Sequence, residues 1–219
     1  LWAGPGKVVV KGADQNVCVY NSIRGRGRAC FAPEKGMKET VILLPEKECG
    51  DLFYLISGDR TSWIRVLPDE TVTVDVRKKD WKFAGDSKAI NRYLYQWTQK
   101  MFFGKPNALT YRVEMMFYQL PDRDKRIPDP KMFYTKEYIE WIDNSGLESL
   151  GDLAKANLKD DLFVEEQERR IYYSWLEMQL QNYQLASDKV EIPTEAFVFL
   201  QEMKFNHVAY LKYPGIDDV

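Results

Sequence analysis

The stretch Trp-Lys-Phe-Ala-Gly-Asp-Ser-Lys-Ala-Ile-Asn-Arg-Tyr-Leu, residues 81–94, contains the point at which the hydrophobic periodicity of the chain changes. Before Gly85, apolar residues recur with a period near two, which is typical of half-buried strands. After it, Ile90, Tyr93 and Leu94 have the i, i+3, i+4 spacing of one helix face. The change predicts an α+β protein in which a β module is followed by a mostly helical module.

The β module is predicted to span residues 1–84 and to form an antiparallel β-sandwich-like unit. Its short runs of β-branched and aromatic residues are separated by Gly, Pro, Asn and Asp at intervals of about ten residues, with no helical pattern between them. The predicted strands are Val8–Val10, Val17–Tyr20, Thr40–Leu44, Leu52–Ile56, Trp63–Leu67 and Thr71–Val76.

The helical module is predicted to span residues 85–219. Its first helix is capped by Asp86 or Ser87 and stopped by Gly104 and Pro106. The other predicted segments are a second helix over 107–119, a polar crossover loop over 121–131, a short helix from Thr135 that ends at Asn144–Gly146, another over 147–157, a long helix over Leu162–Leu185 and a last helix opened by Pro193–Thr194.

Composition and charge argue against nucleic-acid binding, a membrane span and a structural zinc site. The 219 residues include 31 Lys and Arg and 33 Asp and Glu, which gives a net charge of −2. No global positive potential therefore attracts nucleic acid, and no run reaches the roughly 18 apolar residues of a membrane span. Three cysteines and the single His207 do not supply the ligands of a structural zinc site. We expect no nucleic acid, no membrane span, no metal and no cofactor.

The arginines of residues 21–31 are the clearest candidates for ligand contact. In Asn-Ser-Ile-Arg-Gly-Arg-Gly-Arg-Ala-Cys-Phe, Arg24, Arg26 and Arg28 alternate with two glycines. A nucleic-acid segment of this type is usually a longer repeat with aromatic residues for base stacking. We therefore interpret the stretch as the tip of a β-hairpin, with a local anion contact at the three arginines as the alternative.

Two cysteines flank this tip at equal distance from Arg24. If Val17–Tyr20 pairs with Arg28–Phe31, Cys18 and Cys30 lie directly opposite each other, within reach of a disulfide. Two buried thiols are the favoured state, because cross-strand bonds are often strained, and the disulfide remains the alternative. Cys49 is expected to be unpaired in either case.

A cluster of carboxylates is the one sequence feature that suggests an enzyme. Asp69, Glu70 and Asp75 are close in sequence, and a pair of carboxyl groups in a pocket is the requirement of a glycosidase-like hydrolase. Acidic residues are also favoured in turns, where they hydrogen-bond to nearby backbone. A hydrolase that acts on a small or glycan substrate is therefore the alternative hypothesis, and we assign no catalytic residue.

The β module resembles a known family in several segments. These are Lys-Val-Val-Val-Lys-Gly (7–12), Val-Cys-Val-Tyr (17–20), Asp-Leu-Phe-Tyr-Leu-Ile (51–56), Ile-Arg-Val-Leu-Pro-Asp-Glu-Thr-Val-Thr-Val-Asp-Val (64–76) and the 81–94 stretch. They are similar to the N-terminal half of the thioredoxin-like (TlpA-type) envelope lipoproteins of Bacteroidetes. The similarity covers about residues 1–100, and Pro68-Asp69-Glu70 stands where that family has Pro-Gly-acid.

The resemblance implies a location and a role. In that family the redox chemistry resides in a C-terminal thioredoxin domain with a Cys-x-x-Cys motif, which residues 1–219 lack. It implies a non-catalytic module of the periplasm or outer cell surface, with a lipid anchor in the full-length protein as one option. Its expected partner is another envelope protein or an attached thioredoxin-like domain. Because the chain begins at Leu1, we expect it to be a piece of a longer protein.

Overall fold

The chain divides into two compact units, Leu1–Lys100 and Met101–Val219. The first unit contains all the strands described below together with most of the helix that follows them. The sequence analysis places a module boundary between residues 84 and 85, before this helix. The contacts of the helix, however, group residues up to Lys100 with the strands. The computed structural model describes residues 4–20, 29–33, 39–103 and 136–186.

Eight strands form two four-stranded sheets. Sheet A has the order β4-β1-β7-β8, and sheet B has the order β3-β2-β5-β6. The strands are β1 (Gly6–Lys11), β2 (Val17–Tyr20), β3 (Ala29–Phe31), β4 (Glu39–Leu44), β5 (Leu52–Ser57), β6 (Arg60–Arg65), β7 (Thr71–Asp75) and β8 (Lys82–Ala84), with a 3-10 turn at Glu46–Glu48.

The two sheets share one apolar core. Val8 and Val10 of β1 and Val72 of β7 pack in one buried cluster with Phe53 and Leu55 of β5. These are alternate residues of each strand, so the other face of sheet A carries the intervening side chains. The arrangement confirms the predicted α+β class with a β-sandwich-like unit.

One strand pair differs from the antiparallel prediction. β1 pairs with β4 antiparallel but with β7 parallel, with Val9 opposite Thr73. The alternation of apolar residues predicts that a segment is a strand, but it carries no information on which strand lies beside it or in which direction. The strand β8 was not predicted, because its three residues are exposed or half-buried and show no apolar pattern.

The first helix, α1 (Lys88–Phe103), is the one predicted after the change of periodicity. Ser87 lies directly before it and its carbonyl accepts the first helical hydrogen bond, from the N–H of Asn91 at 2.9 Å. Ile90 and Leu94, both predicted on the apolar face, are buried, and so is Tyr95, which was not predicted there.

The second helix, α2 (Lys136–Ala156), contradicts the predicted break at Asn144–Gly146. Ser149 donates its hydroxyl hydrogen bond to the Ser145 carbonyl one turn before it, at 2.9 Å, so the helix continues through this segment. A Cβ on Gly146 would lie 2.9 Å from Cδ2 of Trp175. This glycine therefore permits a close approach to the next helix instead of ending its own.

The third helix, α3 (Asp161–Ala186), agrees with the long helix predicted over Leu162–Leu185. Asp160 caps it, because its carboxylate accepts a hydrogen bond from the N–H of Phe163 at 2.9 Å. The chain reaches α3 from α2 through Asn157, whose φ of 47° is left-handed. The predictions for 107–119, 121–131 and the helix at Pro193–Thr194 lie outside the described residues.

Candidate functional site

The outer edge of β6, the last strand of sheet B, is covered by polar side chains of α1. Asn91 accepts a hydrogen bond from the N–H of Arg65 at 2.7 Å and donates one to the carbonyl of the same residue at 2.9 Å. Two turns further along the helix, the Thr98 hydroxyl accepts a hydrogen bond from the N–H of Trp63 at 3.1 Å. The helix thus supplies bonds that a neighbouring strand would otherwise make.

The hydrogen bonds between α1 side chains and the β6 backbone continue to the start of the strand. Gln99 donates its side-chain N–H to the carbonyl of Thr61 at 3.2 Å. The eight residues from Asn91 to Gln99 rise about 12 Å along a helix, and the four from Arg65 back to Thr61 span about 14 Å of a strand. Helix and strand therefore run in opposite directions with closely matched spacing, which explains how three side chains cover alternate residues of β6.

Glu70 connects the start of α1 to the strands. Its buried carboxylate accepts hydrogen bonds from the backbone N–H of Ser87 at 2.7 Å and from that of Leu67 at 2.9 Å. The Ser87 hydroxyl lies 2.8 and 2.9 Å from the two carboxylate oxygens. Three donors of the fold thus bind this carboxyl group and fix the position of the helix N-terminus beside the strands.

The other two carboxylates of the candidate hydrolase cluster have separate structural partners. Asp69, in a left-handed turn with φ of 59°, accepts a hydrogen bond from the N–H of Gly4 at 2.8 Å. Asp75 binds Arg77, and the hydrogen bond from this guanidinium lowers the pKa of Asp75 to about 2. Asp69, Glu70 and Asp75 therefore each bind donors of the chain itself.

The strand β4, at one end of sheet A, contrasts with β6. In the described part of the chain, β1 is its one pairing partner. Thr40, Ile42 and Leu44 point toward the interior and are buried, while Val41 and Leu43 are 45% and 66% exposed. This end strand thus presents two apolar side chains to solvent, beside a backbone edge that pairs with no other strand of the described ranges.

An acidic residue lies at the start of this apolar strip. Glu39 is opposite Lys11 of β1, and their side chains form an ion pair with Nζ and Oε1 3.0 Å apart. Val41 is opposite Val9, which is buried on the outer face of the sheet. The outer face at β4 therefore combines an apolar strip of Val9, Val41 and Leu43 with a charged end.

The two candidate cysteines are joined in the structure. Cys18 and Cys30 are register partners of β2 and β3, as predicted, and form a disulfide with their Cα atoms 4.0 Å apart. The favoured expectation of two buried thiols is not the state found: direct opposition brings the sulfurs together, and Cys30 lies on an exposed strand. Arg24, Arg26 and Arg28 lie outside the described residues, so the anion contact stays a prediction.

The third cysteine, Cys49, is a free thiol. Its sulfur accepts a hydrogen bond from the N–H of Gly6 at 3.2 Å and donates to the carbonyl of Pro45 at 3.5 Å. Burial raises the pKa of this thiol, and the nearby acidic Glu46 adds to the rise. The thiol is therefore held in its neutral form and packs against the start of β1.

Neither a metal centre nor a membrane span is found in the described ranges. Their His, Cys, Asp and Glu side chains form no group of three or more able to hold a metal ion. None of the helices in the same ranges is long and apolar enough to cross a membrane.

The sequence analysis did not identify the α1 residues that cover the edge of β6 or the exposed apolar residues of β4. Asn91 and Thr98 are fully buried, seven residues apart beside the apolar face of α1, and this i, i+7 polar pair was the available signal. For β4, the signal was the unbroken apolar run from Val41 to Leu44, which places apolar residues on both faces of a strand.

Comparison with known proteins adds no relative to these observations. No protein-family model, no curated protein and no solved structure matches the chain. The resemblance to envelope lipoproteins therefore rests on the sequence segments alone.

Proposed function

We propose that this chain is a non-catalytic interaction module of the cell envelope, which binds an extended segment of a partner protein along the edge of β4 that no other described strand pairs with. The observation that carries the proposal is the exposure of Val41 and Leu43 on an end strand of sheet A. An incoming strand would pair with the β4 backbone and cover both side chains, which is the common geometry of β-strand addition.

The charged end of the strip indicates what the partner segment contains. A residue added opposite Glu39 on the free side would lie next to a carboxylate that already pairs with Lys11 on the other side. A Lys or Arg at this position gives an opposite-charge cross-strand pair, and apolar residues opposite Val41 and Leu43 give apolar pairs. The proposed occupant is thus an extended segment with two alternate apolar residues followed by a basic one.

A second copy of the chain fits this strip less well. In an antiparallel pairing that joins the outer faces, the residue of a second β4 opposite Glu39 is Val41, Leu43 or Glu39 itself. None of these is a cation, so a second copy would add no opposite-charge cross-strand pair at Glu39. Charge complementarity therefore favours a different protein as the partner.

Two observations support the location in the envelope. The Cys18–Cys30 disulfide fits a compartment that lacks the reducing thiol pool of the cytosol, such as the periplasm. The resemblance of residues 1–100 to thioredoxin-like envelope lipoproteins is in accord with this location. It also makes a thioredoxin-like domain, attached or separate, the natural protein to be positioned by this module.

A short peptide tests the proposed edge directly. The probe is fluorescein-labelled Thr-Val-Thr-Val-Thr-Lys-Thr, titrated with the full chain and followed by fluorescence anisotropy. We expect saturable binding that Leu43→Lys weakens at least about tenfold, because it removes an apolar contact and places a cation in the strip. Leu147→Lys is the matched control, since Leu147 is 60% exposed on α2 and should leave the affinity unchanged.

A second peptide separates strand addition from nonspecific apolar adsorption. The same sequence with N-methyl groups on alternate amides cannot pair with β4 and should not bind. Binding of both peptides, or an equal loss of affinity in the two leucine variants, would contradict the proposal. So would a concentration-dependent dimer in sedimentation velocity that Leu43→Lys abolishes, because it would identify a second copy as the occupant.

We also propose that nucleic acid is not a partner. With a net charge of −2, the chain should give no anisotropy change with labelled single-stranded or duplex DNA or RNA at physiological ionic strength. A binding curve that weakens with salt, and is lost when Arg24, Arg26 and Arg28 are replaced by Ala, would contradict this prediction.

A further inference from the structure

The two cysteines of the disulfide differ in their access to solvent. Cys18 is 2% exposed and lies among the buried residues of β2, whereas Cys30 is exposed on β3. Thiol–disulfide exchange needs an attacking thiolate to reach one of the two sulfurs, and the accessible sulfur determines which mixed disulfide forms. A thiol that approaches from solvent therefore meets Cys30 first.

The strand that carries Cys30 has few other attachments. β3 consists of three residues at the end of sheet B, and β2 is its pairing partner in the described ranges. The disulfide is a covalent link in this short pairing. β2 is held on its other side by β5 through four register pairs, which do not depend on the disulfide.

We propose that Cys18–Cys30 is a thiol–disulfide exchange site, attacked at Cys30 by a small thiol or by the dithiol of a partner protein. The attacking thiolate forms a new S–S bond to Sγ of Cys30, the Cys18–Cys30 bond breaks, and Cys18 leaves as a thiolate. When the attacking molecule is a dithiol, its second thiol then attacks the dithiol sulfur that is bonded to Cys30. A disulfide forms within the dithiol, and Cys30 is released as a thiolate. Two electrons pass to the cysteine pair, the dithiol becomes a disulfide, and its two protons go to the released thiolates.

Reduction has a structural consequence for sheet B. Without the covalent link, β3 is held by a three-residue pairing at an exposed edge, and we expect it to separate from β2. The outer edge of β2 then becomes free while β5 continues to hold its inner edge. The exchange site thus controls whether the outer edge of β2 is covered by β3, independently of β4 in the other sheet.

A trapping experiment identifies which sulfur is attacked. The folded chain is treated briefly with reduced glutathione, the reaction is stopped with N-ethylmaleimide, and the adducts are located by peptide mass spectrometry. We expect glutathione on Cys30 and maleimide on Cys18, with at least about a tenfold preference over the reverse pattern. The reverse pattern, or exchange that occurs only under conditions that unfold the chain, would overturn the proposal. Cys49 is a free thiol and is mapped separately.

Hydrogen exchange tests the consequence. After reduction with dithiothreitol, the amides of residues 29–31 and the β2 amides that face β3 should lose protection at least about tenfold, while the β2 amides that face β5, and those of β1, β5 and β7, keep theirs. The Cys18→Ala/Cys30→Ala double variant should show the same pattern without reductant, and Cys49→Ala should behave like the unchanged chain. Loss of protection throughout the β unit would show that the disulfide holds more than β3, and no change in protection would show that it does not hold β3; either result overturns this consequence. Neither experiment involves β4, so both are independent of the peptide titration.

Discussion

The end strands β6 and β4 differ in how the backbone groups of their outer edges are covered. Both strands end a four-stranded sheet and would leave alternate backbone groups without a strand partner. At β6, Asn91, Thr98 and Gln99 of α1 bind these groups, while β4 keeps Val41 and Leu43 exposed. One edge is thereby protected against further pairing, and the other keeps the features that a partner strand requires.

The two edges should differ in their tolerance of substitution. The backbone groups of β6 at Arg65 and Trp63 lie under α1, where a lost side-chain partner cannot be replaced by bulk water. A buried polar group left without a partner costs about 1–3 kcal/mol, whereas a solvated group costs little. Polar substitutions under α1 should therefore destabilise the chain far more than substitutions on the outer face of β4.

The largest effect is expected at Asn91. Asn91→Ala removes the acceptor of the buried Arg65 N–H and the side-chain N–H donor to the same residue's carbonyl. We expect a loss of about 3 kcal/mol in the free energy of unfolding, measured by urea denaturation. Gln96→Ala, at an exposed position of the same helix, is the control and should change stability by less than about 0.5 kcal/mol. Equal effects of the two variants would show that α1 does not protect this edge.

A smaller effect is expected at Thr98. Thr98→Val keeps the shape of the side chain but removes the hydroxyl that accepts the hydrogen bond from Trp63. The buried N–H of Trp63 loses this acceptor, so the free energy of unfolding should fall by about 1–2 kcal/mol. Thr98→Ser keeps the hydroxyl and should retain most of the hydrogen-bond contribution. If Ser were as destabilising as Val, the methyl packing rather than the hydrogen bond would be responsible.

The comparison also explains how far the sequence predicts the fold. Alternation of period two identified most of the strands, and the change at Gly85 located α1, because both signals come from residues close in the chain. The parallel pairing of β1 with β7 depends on contacts between distant residues, for which the sequence pattern has no signal. Asn144–Gly146 was interpreted as a helix end, because Asn and Gly are typical stop residues. The close approach of Gly146 to the Trp175 ring was not predictable, because this ring lies on another helix.

The candidate sites divide in the same way. The opposition of Cys18 and Cys30 was predictable, because a hairpin places residues by counting from its turn. The burial of Glu70 under the N-terminus of α1 was not predictable, because it depends on how the helix packs beside β6. Exposure of Leu43 was likewise missed, since it depends on β4 being the end strand of its sheet.

Substitutions on the outer face of β4 should have little effect on stability. Val41→Thr and Leu43→Thr replace exposed apolar residues with a residue that favours strands, so each should change the free energy of unfolding by less than about 0.7 kcal/mol. Ile42→Thr, on the buried face of the same strand, is the matched control and should cost about 2–3 kcal/mol. A large loss in Leu43→Thr would mean that this side chain serves the fold rather than a partner.

The smallest effect is expected from the ion pair of Asp75 and Arg77 beside the sheet. The hydrogen bond from Arg77 lowers the pKa of Asp75 from 3.8 to about 2. Since the folded-state pKa is the lower one, the ionised carboxylate stabilises the fold above pH 3.8, and this contribution is lost as the pH falls through about 2.

Urea denaturation of the unchanged chain and of Asp75→Asn, from pH 5 to pH 2, measures this contribution. The difference in free energy of unfolding between the two should shrink toward pH 2 and should be screened by added salt, because the Arg77 side chain of the pair is largely exposed. Arg77→Ala removes the hydrogen-bond donor to Asp75. In the Arg77→Ala variant, the effect of Asp75→Asn on the free energy of unfolding should therefore depend much less on pH. A difference that stays constant over this range would mean that Asp75 acts through its shape and not through its charge.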